Sequence, residues 1–474
     1  MSWKRVTPLL LACGALTFAA CTEDVTSPTA TDEATPAAAF KVANSNTAQD
    51  GKYLVMFKKS GIPAGFAGEV EGLGGVVEFT HDVGLATVSG LSAEAAVVLA
   101  KNTAIGAVEA NASFDLDPLF DEAGIASVGS NPASASDPTS AYFYARQWNM
   151  RAIGADMAWA DGRTGSADVT LAILDSGIDY QYYDLVGRVD LSRSASFIPE
   201  DDALVDIYFP GTNYVTDLYF HGTHVASTAV SNSDVIAGVT TRTTLIGVKV
   251  CSVFGSCPFD AVIAGILHAV DNGADVINMS LGGGFAKAGN GLYVGFINKV
   301  FNHARSAGVT MVVSAGNDAA DLDHNGNTYA TYCDTPNTIC VSATGPTAAA
   351  GTNGPWTDVD APAPYTNYGR SAINVAAPGG TGAYGGAWVH AACSGTSLAI
   401  PVCQTGTYVI GAQGTSMSAP HVSGLAALMV EDFGRKPGRI KAAIQKSADD
   451  LGQRGTDPFY GKGRINVATA VGAN

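Results

Sequence analysis

The 474-residue sequence contains little charge, and little of that charge is positive. Charged residues make up 15% of the chain, and 26 lysines and arginines stand against 43 aspartates and glutamates, which gives a formal net charge of −17. Beyond the first few residues no run is rich in lysine and arginine, so the electrostatic condition for binding nucleic acid is missing. The acidity is instead typical of a soluble exported protein, and we expect no nucleic-acid partner.

The apolar stretch at the start of the chain is too short to be a comfortable membrane-spanning helix. It runs from Leu9 to Ala20 and follows Lys4 and Arg5, an arrangement typical of an export signal over residues 1–21. The closing Phe-Ala-Ala-Cys21 resembles a lipoprotein signal box, in which Cys21 would be lipidated. Ordinary cleavage and release is the alternative.

No Cys-x-x-Cys pair occurs, which argues against a zinc site. Of the eight cysteines, Cys13 and Cys21 belong to the signal, and the remaining six suit an oxidising compartment. Sequence alone does not choose among the many ways of pairing six cysteines. The simplest hypothesis joins close neighbours: Cys251 with Cys257, Cys333 with Cys340, and Cys393 with Cys403.

The composition is that of a folded protein, because hydrophobic residues make up 47% of the chain, and its length suggests more than one domain. Residues 22–50 are rich in Thr, Ala, Ser and Pro, which is typical of a flexible tether. Residues 51–115 follow the order strand-helix-strand-strand-helix-strand, which predicts a small α+β domain of the split βαβ type. Residues 116–140 are predicted to be a linker, and 141–474 a larger domain.

The larger domain alternates short apolar runs with helical stretches. Four runs have the character of buried parallel strands: 169–174, 245–250, 276–279 and 309–313. Helices are predicted between them, at 258–272 and 293–307. This alternation predicts an α/β fold, an open and mostly parallel sheet flanked by helices, in which chemistry gathers at the carboxyl ends of the strands.

Two polar motifs follow such runs. Asp175 begins Asp-Ser-Gly-Ile-Asp, and a carboxylate there can fix the tautomer of a histidine, although a turn aspartate is the plainer interpretation of this residue alone. His221 begins His-Gly-Thr-His-Val-Ala, where Gly222 lets neighbouring chain pack closely. His221 and His224, three residues apart, could together bind a metal, but no acidic or cysteine partner stands nearby, so His224 is interpreted as a structural hydrogen-bonding residue. His421 is interpreted in the same way.

Ser416 lies in Gly-Thr-Ser-Met-Ser-Ala-Pro-His-Val-Ser-Gly, ahead of an apolar helical run from Val422 to Val430. A serine at a helix N-terminus lies beside unpaired amide donors and in positive partial charge, and both favour an adjacent oxyanion. It becomes a good nucleophile only when a base such as His221 takes its proton. Ser397 repeats the Gly-Thr-Ser spacing, but no helix follows it, so Ser416 is the preferred candidate.

These three motifs, in this order, resemble those of the subtilisin-like serine proteases, or subtilases. The resemblance extends from Gln147 to Val471 and implies a serine endopeptidase with a subtilisin-like fold. It implies that Asp175 orients His221, that His221 acts as general base and then general acid, and that Ser416 forms the acyl-enzyme. It also implies that no cofactor takes part in catalysis.

The resemblance assigns further residues to the site. Asn317 matches the asparagine of the family's oxyanion hole. The segments that would line a bound peptide comprise Ser280, Leu281, Gly282, Gly283, Ala315 and Gly316. Residues 51–115 resemble the family's inhibitory propeptide, which would be removed by self-cleavage between Asp115 and Gln147.

These expectations describe a monomer outside the bacterial cytoplasm, secreted or lipid-anchored at the cell envelope. Its partners would be protein or peptide substrates and its own propeptide, acting as an intramolecular inhibitor. A catalytically inactive, surface-anchored binding protein on the same scaffold is the competing interpretation. An esterase is disfavoured because the Gly-x-Ser-x-Gly elbow is missing.

Structural calcium is expected from two separate patterns. Asp184 stands where the family often places a calcium ligand. Asp321, Asp323 and Asn325 resemble the start of an oxygen-rich calcium loop, although Tyr332 occupies the position of the final glutamate of an EF-hand. A solvated acidic turn is the alternative interpretation of the second pattern.

Overall fold

A computed structural model of the chain describes residues 51–116, 119–127, 137–288, 290–330, 332–382 and 386–473, with the backbone alone at 119–124. The predicted signal, the lipidation site at Cys21 and the tether over 22–50 lie outside the described residues. They stay predictions.

The first described segment forms a four-stranded antiparallel sheet in the strand order β2-β3-β1-β4. Its elements are β1 (Tyr53–Phe57), α1 (Phe66–Gly72), β2 (Val76–His81), β3 (Leu85–Ser89), α2 (Ala93–Leu99) and β4 (Ile105–Ala110). Helix α2 begins where the sequence predicts, because Ser92 Oγ accepts a hydrogen bond from the amide of Ala95. The predicted small α+β unit is confirmed, with a core of its own around Val55, Val70 and Leu99.

The remaining chain adds nine helices and sixteen strands within the described residues. The strands are β5 (Ser113–Asp115), β6 (Leu119–Ser127), β7 (Thr170–Asp175), β8 (Ala195–Ser196), β9 (Thr244–Lys249), β10 (Ser256–Pro258), β11 (Val276–Met279), β12 (Gly284–Ala286), β13 (Thr310–Ser314), β14 (Thr328–Ala330), β15 (Thr338–Thr344), β16 (Ala348–Ala349), β17 (Trp356–Thr357), β18 (Val375–Pro378), β19 (Val389–Cys393) and β20 (Tyr408–Gln413). The helices are α3 (Trp148–Ala152), α4 (Ala155–Ala160), α5 (Pro199–Tyr208), α6 (His221–Ala229), α7 (Phe259–Asp271), α8 (Gly291–Ser306), α9 (Thr415–Phe433), α10 (Pro437–Ser447) and α11 (Val467–Val471).

Seven strands form one parallel sheet in the order β18-β15-β13-β11-β7-β9-β8. Side chains of a strand point alternately to the two faces, so β7 contributes to two cores. Leu171 and Ile173 belong to the core that contains α9, whereas Ala172 and Leu174 belong to the core that contains α7 and α8. Burial on both faces explains why these strands are continuous apolar runs, and the predicted α/β fold is confirmed.

The six cysteines within the described residues pair as close neighbours, as predicted: Cys251 with Cys257, Cys333 with Cys340, and Cys393 with Cys403. One strand lies where the sequence predicts a linker. Strand β6 is the third strand of a sheet in the order β19-β20-β6. Its partner β20 is almost 300 residues away along the chain, so local composition carries no sign of it.

Asp184 is fully buried and closes the loop that follows α6. Its Oδ1 accepts hydrogen bonds from the amides of Asp234 and Val235 at 2.8 and 2.9 Å, and its Oδ2 accepts one from Ile236 at 3.0 Å. Three converging N–H donors suit an anion and do not suit a cation. The contacts therefore favour a structural carboxylate at this position, and calcium at Asp184 stays a prediction.

We expect Asp184→Ala to lower the free energy of unfolding by at least ~3 kcal/mol, because three amides of a buried loop lose their acceptor. Urea unfolding followed by tryptophan fluorescence would measure the change. Asp168→Ala, at an exposed position, is the matched control and should be close to neutral. Equal free energies for the two variants would contradict the assigned role of Asp184.

Candidate active site

Three neighbouring strands of the parallel sheet end beside one another. Asp175 is the last residue of β7, Ser280 follows β11, and Ala315 follows β13. These strands are adjacent in the order β13-β11-β7, and the carboxyl ends of parallel strands lie at one edge of the sheet. The sheet therefore brings together residues that are 140 positions apart in the sequence.

Asp175 and His221 form a buried pair. His221 Nδ1 lies 2.8 Å from Asp175 Oδ1, and both side chains are excluded from solvent. The amide of Ser176 also donates to Asp175 Oδ1, at 2.8 Å. Among the described residues, His221 Nε2 has no hydrogen-bond partner. Because the carboxylate accepts the Nδ1 proton, the neutral ring presents its basic nitrogen at Nε2.

Gly222 permits this close approach. A Cβ at this position would collide with the carbonyl oxygen of Gly177 and lie 3.1 Å from Asp175 Cβ. Any larger residue would push the start of α6 away from the end of β7. The packing role that the sequence indicates for Gly222 is the one that the structure gives it.

Asp217 supports the start of α6 and was missed by the sequence analysis. Its Oδ2 accepts hydrogen bonds from the amide and the hydroxyl of Thr223 at 2.9 and 2.6 Å, and its Oδ1 accepts one from Ser176 Oγ at 2.9 Å. Ser176 Oγ in turn accepts the amide of Gly222. Burial raises the pKa of Asp217 to about 6, against the opposing effect of the Thr223 hydrogen bonds. The one feature of the sequence that could have indicated this role is the position of Asp217, four residues before His221.

Ser416 is the second residue of α9 and is joined reciprocally to Ser280. Ser416 Oγ donates to the Ser280 carbonyl at 3.0 Å, and Ser280 Oγ donates to the Ser416 carbonyl at 2.8 Å. In this conformer the Ser416 hydroxyl points to Ser280 and makes no hydrogen bond to His221. The two bonds hold the first turn of α9 against the segment that follows β11.

Asn317 is fixed through its carbonyl oxygen. Asn317 Oδ1 accepts hydrogen bonds from the amide and the hydroxyl of Thr415 at 2.8 and 3.0 Å, and Thr415 Oγ1 accepts the amide of Gly316 at 3.0 Å. Because Oδ1 is committed to Thr415, Nδ2 is the end of the side chain that can donate beside Ser416. The loop after β13 and the start of α9 are thus locked together.

Four of the six residues predicted to line a bound peptide surround a small cavity of about 40 Å³. Gly282, Gly283, Ala315 and Gly316 line it, together with Gly284, Ser314, Asp318, Ala330 and Asn367. Ser280 and Leu281, which precede Gly282 in the chain, are buried. The structure therefore brings the two predicted segments together around one depression.

The chain itself runs beside this cavity. Strand β5 pairs antiparallel with β10, and the amide of Leu116 donates to the Gly255 carbonyl at 2.7 Å. On the opposite side, a Cβ at Gly283 would lie 3.0 Å from Phe114 Cβ. Residues 113–116 therefore lie between β10 and the predicted substrate-lining segment.

The competing residues have other partners. Ser397 Oγ donates to the Tyr219 carbonyl and accepts the amide of Ile400 at 2.9 Å. His224 Nε2 contacts the Val389 carbonyl at 3.1 Å, and burial lowers the pKa of His224 to about 3. His421 Nδ1 contacts the Met417 carbonyl at 2.8 Å, and burial lowers its pKa to about 4. Each of these side chains makes structural hydrogen bonds.

The second predicted calcium pattern is engaged in local hydrogen bonds. Asp321 contacts the amide of Asp323 and the ring of His324, and Asp323 accepts hydrogen bonds from Ser371. Neither these aspartates nor Asp184 belongs to a group of three potential metal-binding His, Cys, Asp or Glu side chains in the described part of the chain. Calcium at Asp321, Asp323 and Asn325 stays a prediction.

Together, the fold and the site define an α/β protein with a buried aspartate–histidine pair and a serine at a helix N-terminus, both at one edge of a parallel sheet. Within the described ranges, none of the helices has the length and apolar character that crossing a membrane requires. The subtilase family model of peptidases matches residues 166–463.

Two curated relatives match most of the chain. Thermitase of Thermoactinomyces vulgaris is 31% identical over 335 residues, which is 70% of this chain and 99% of thermitase. A subtilisin of Bacillus pumilus is 31% identical over 330 residues, 68% of this chain and 98% of the relative. The chain therefore belongs to the subtilase family of serine proteases.

Solved structures share the fold. The epidermin leader peptide processing serine protease of Staphylococcus aureus has a TM-score of 0.67 at 20% identity, covering 89% of this chain and 97% of its own. Fervidolysin of Fervidobacterium pennivorans has a TM-score of 0.65 at 23% identity, covering 90% of this chain and 61% of its own. At these identities the likeness concerns the fold alone.

We expect Asp217→Ala to lower kcat by roughly 10- to 100-fold with little change in KM, because the start of α6 and the imidazole of His221 lose their support. Steady-state hydrolysis of a peptide substrate would measure both constants. Asp206→Ala removes an exposed carboxylate from the same stretch of chain and is the control. Equal kinetics for the two variants would show that Asp217 does not position the histidine.

Proposed function

We propose that this protein is an extracytoplasmic serine endopeptidase in which Asp175, His221 and Ser416 form the catalytic triad. The observation that carries the proposal is the buried hydrogen bond between Asp175 and His221, at the same edge of the sheet where Ser416 is joined to Ser280. No cofactor is needed for this chemistry, since the nucleophile, base and charge stabilisation all come from the chain.

In the proposed reaction, Ser416 Oγ rotates away from the Ser280 carbonyl toward His221 Nε2. The imidazole takes the hydroxyl proton while the oxygen attacks the carbonyl carbon of the scissile bond, and Asp175 stabilises the resulting imidazolium. His221 then gives this proton to the leaving amine, and the acyl-enzyme on Ser416 remains. Water deprotonated by His221 releases the acid product and restores the serine.

The negative oxygen of the tetrahedral intermediate would lie between two donors. Asn317 Nδ2 is one, because its partner atom Oδ1 is held by Thr415. The amide of Ser416 is the other, since it belongs to the first turn of α9, where amides lack helical acceptors. Both donors are in place before substrate arrives, so little reorganisation is needed during the reaction.

Residues 51–115 are proposed to be a propeptide that inhibits the enzyme and is removed by self-cleavage. Strand β5 lies along β10 and next to Gly283, as an extended peptide substrate would. The side chain of Asn111 exchanges two hydrogen bonds with Asp260 at the start of α7, which anchors the segment just before it enters the cleft. The cut is proposed to fall between Asp115 and Gln147.

Location, anchoring and assembly are also proposals. Three disulfides favour an oxidising compartment outside the cytoplasm. Three further proposals rest on the sequence alone. They are lipidation at Cys21, a monomeric mature enzyme, and structural calcium at Asp184 or at Asp321, Asp323 and Asn325.

Ser416→Ala is expected to lower kcat by about a million-fold and to leave the precursor uncut, because the variant lacks the oxygen on which the proposed acyl-enzyme forms. Casein hydrolysis and the mass of the purified chain report the two effects. Ser397→Ala is the matched control and should retain hydrolysis and processing. Full activity and normal processing of the Ser416 variant would refute the triad, and an inactive but intact natural protein would favour the binding-protein alternative.

Asn317→Ala is expected to lower kcat by roughly 100- to 1,000-fold while KM changes little, because the lost donor acts on charge that develops only in the transition state. Hydrolysis of a peptide p-nitroanilide measures both constants. A variant whose KM rises while kcat is retained would assign Asn317 to ground-state binding instead.

A further inference from the structure

Three potential metal ligands meet where the small α+β unit contacts the larger domain. His81 is the last residue of β2, Asp271 is the last residue of α7, and His303 lies in the last turn of α8. One ligand atom from each of these side chains lies within 4.8 Å of the other two. In the described part of the chain, no other three His, Cys, Asp or Glu side chains come together in this way.

The contacts within this cluster leave one ring nitrogen without a partner. His81 Nε2 lies 3.0 Å from Asp271 Oδ2, and the rings of His81 and His303 meet edge to face with their centroids 5.3 Å apart. His303 Nε2 is buried and has no hydrogen-bond partner among the described residues. A buried polar atom in this state costs free energy, and a metal ion bound between the three side chains would give it a partner.

The backbone around the cluster also favours a cation. The last turn of a helix carries negative partial charge, so a carboxylate at that position is unfavourable unless a positive charge lies nearby. Asp271 is such a carboxylate at the end of α7, and α8 ends at the same cluster. An open depression of about 550 Å³ is lined by the three side chains, by Ser60 and by the neighbours of His81 in the chain. Water can therefore reach a bound ion and complete its coordination.

The small unit contacts α8 along most of its length, and the cluster lies at the end of this contact. The hydroxyl of Tyr293, near the start of α8, donates to the Ala110 carbonyl. Farther along the helix, Lys299 Nζ donates to the Phe57 carbonyl at 3.2 Å. An ion at the cluster would therefore fasten the end of the small unit opposite Ala110, where the chain leaves for the larger domain.

We propose that His81, Asp271 and His303 form a binding site for a divalent transition-metal ion such as zinc, which joins the small unit to the larger domain. Two imidazoles and one carboxylate, with a further position open to water, are a ligand set that zinc accepts. His81 and Asp271 are 190 residues apart, so the site leaves no local motif and the missing Cys-x-x-Cys pairs do not bear on it. One consequence rests on the proposed propeptide function: the ion would keep residues 51–115 bound after the chain is cut.

The contact of Val83 gives the bound state a signature. The amide of Val83 donates to His81 Nδ1 at 3.0 Å, so the proton of the neutral ring lies on Nε2. A metal ion at Nε2 moves this proton to Nδ1 and breaks the contact with Val83. The NMR signal of the Val83 amide is therefore expected to shift when zinc binds.

Binding is tested on the Ser416→Ala precursor, titrated with zinc chloride by calorimetry in the presence of excess calcium. We expect one ion per chain. His81→Ala, Asp271→Asn and His303→Ala should each weaken binding by about 100-fold or more, because even the loss of a hydrogen-bond partner behind a ligand costs 10- to 100-fold. His324→Ala removes an exposed histidine beside a single aspartate and is the matched control, which should bind zinc as the parent does.

This measurement needs no proteolysis, so its result is independent of the protease proposal. If the parent binds no zinc, or if the His81→Ala variant binds it as the parent does, the site is refuted. The cluster is then only a hydrogen bond between His81 and Asp271.

A second measurement follows the small unit after cleavage of the wild-type chain. Zinc is expected to slow the dissociation of the cleaved small unit by about tenfold or more, because the ion binds fully only while both parts are together. Size-exclusion chromatography over time reports the rate, and a zinc-selective chelator should restore the faster release. The His81→Ala variant is the control and should release the unit equally fast with and without zinc. Equal rates for the wild-type chain would overturn the proposed joining of the two parts, whereas a wild-type chain that is never cut would contradict the protease proposal and leave the calorimetry to decide the metal site.

Discussion

The burial of α9 against the parallel sheet is the interaction on which the site depends. Every residue from Thr415 to Val430 is buried, and Val422 and Leu425 belong to the same core as Leu171 and Ile173 of the central strand. Moving this helix would open that core, which interiors packed at crystal-like density resist. Its first turn is therefore held against the ends of β11 and β13, where Ser280 and Asn317 meet it.

Because the site is buried, hydrogen bonds within it are strong, and each of its polar groups needs a partner. Asp175 and His221 are without solvent contact, so their hydrogen bond acts in a medium of low dielectric constant. Buried polar groups need partners, and Asp217, Ser176 and Thr223 satisfy one another around the start of α6. The hydrogen bonds that these buried groups require hold the site rigid. The proposed reaction therefore uses a geometry that is already fixed when the protein has folded.

Strands β10 and β20 each pair with a strand that lies between the small α+β unit and the larger domain, β5 and β6 respectively. Each carries or adjoins a disulfide, since Cys257 lies within β10 and Cys393 ends the strand next to β20. The addition of a strand accounts for the fit of β5 along β10, and we propose the same mode of recognition for an extended peptide substrate at this place.

Local patterns in the sequence determined the fold class, the small α+β unit, the apolar strands predicted at 169–174 and 309–313, and the three motifs, because periodicity and special residue types act over a few positions. The preference for Ser416 over Ser397 also came from the sequence, through the helix that follows Ser416. The tertiary structure alone decided the role of Asp217, the three amides around Asp184, the rotamer of Ser416 and the pairing of β6 with β20. Each of these is a contact between segments far apart in the chain, and such contacts depend on how the core packs, which no local pattern encodes.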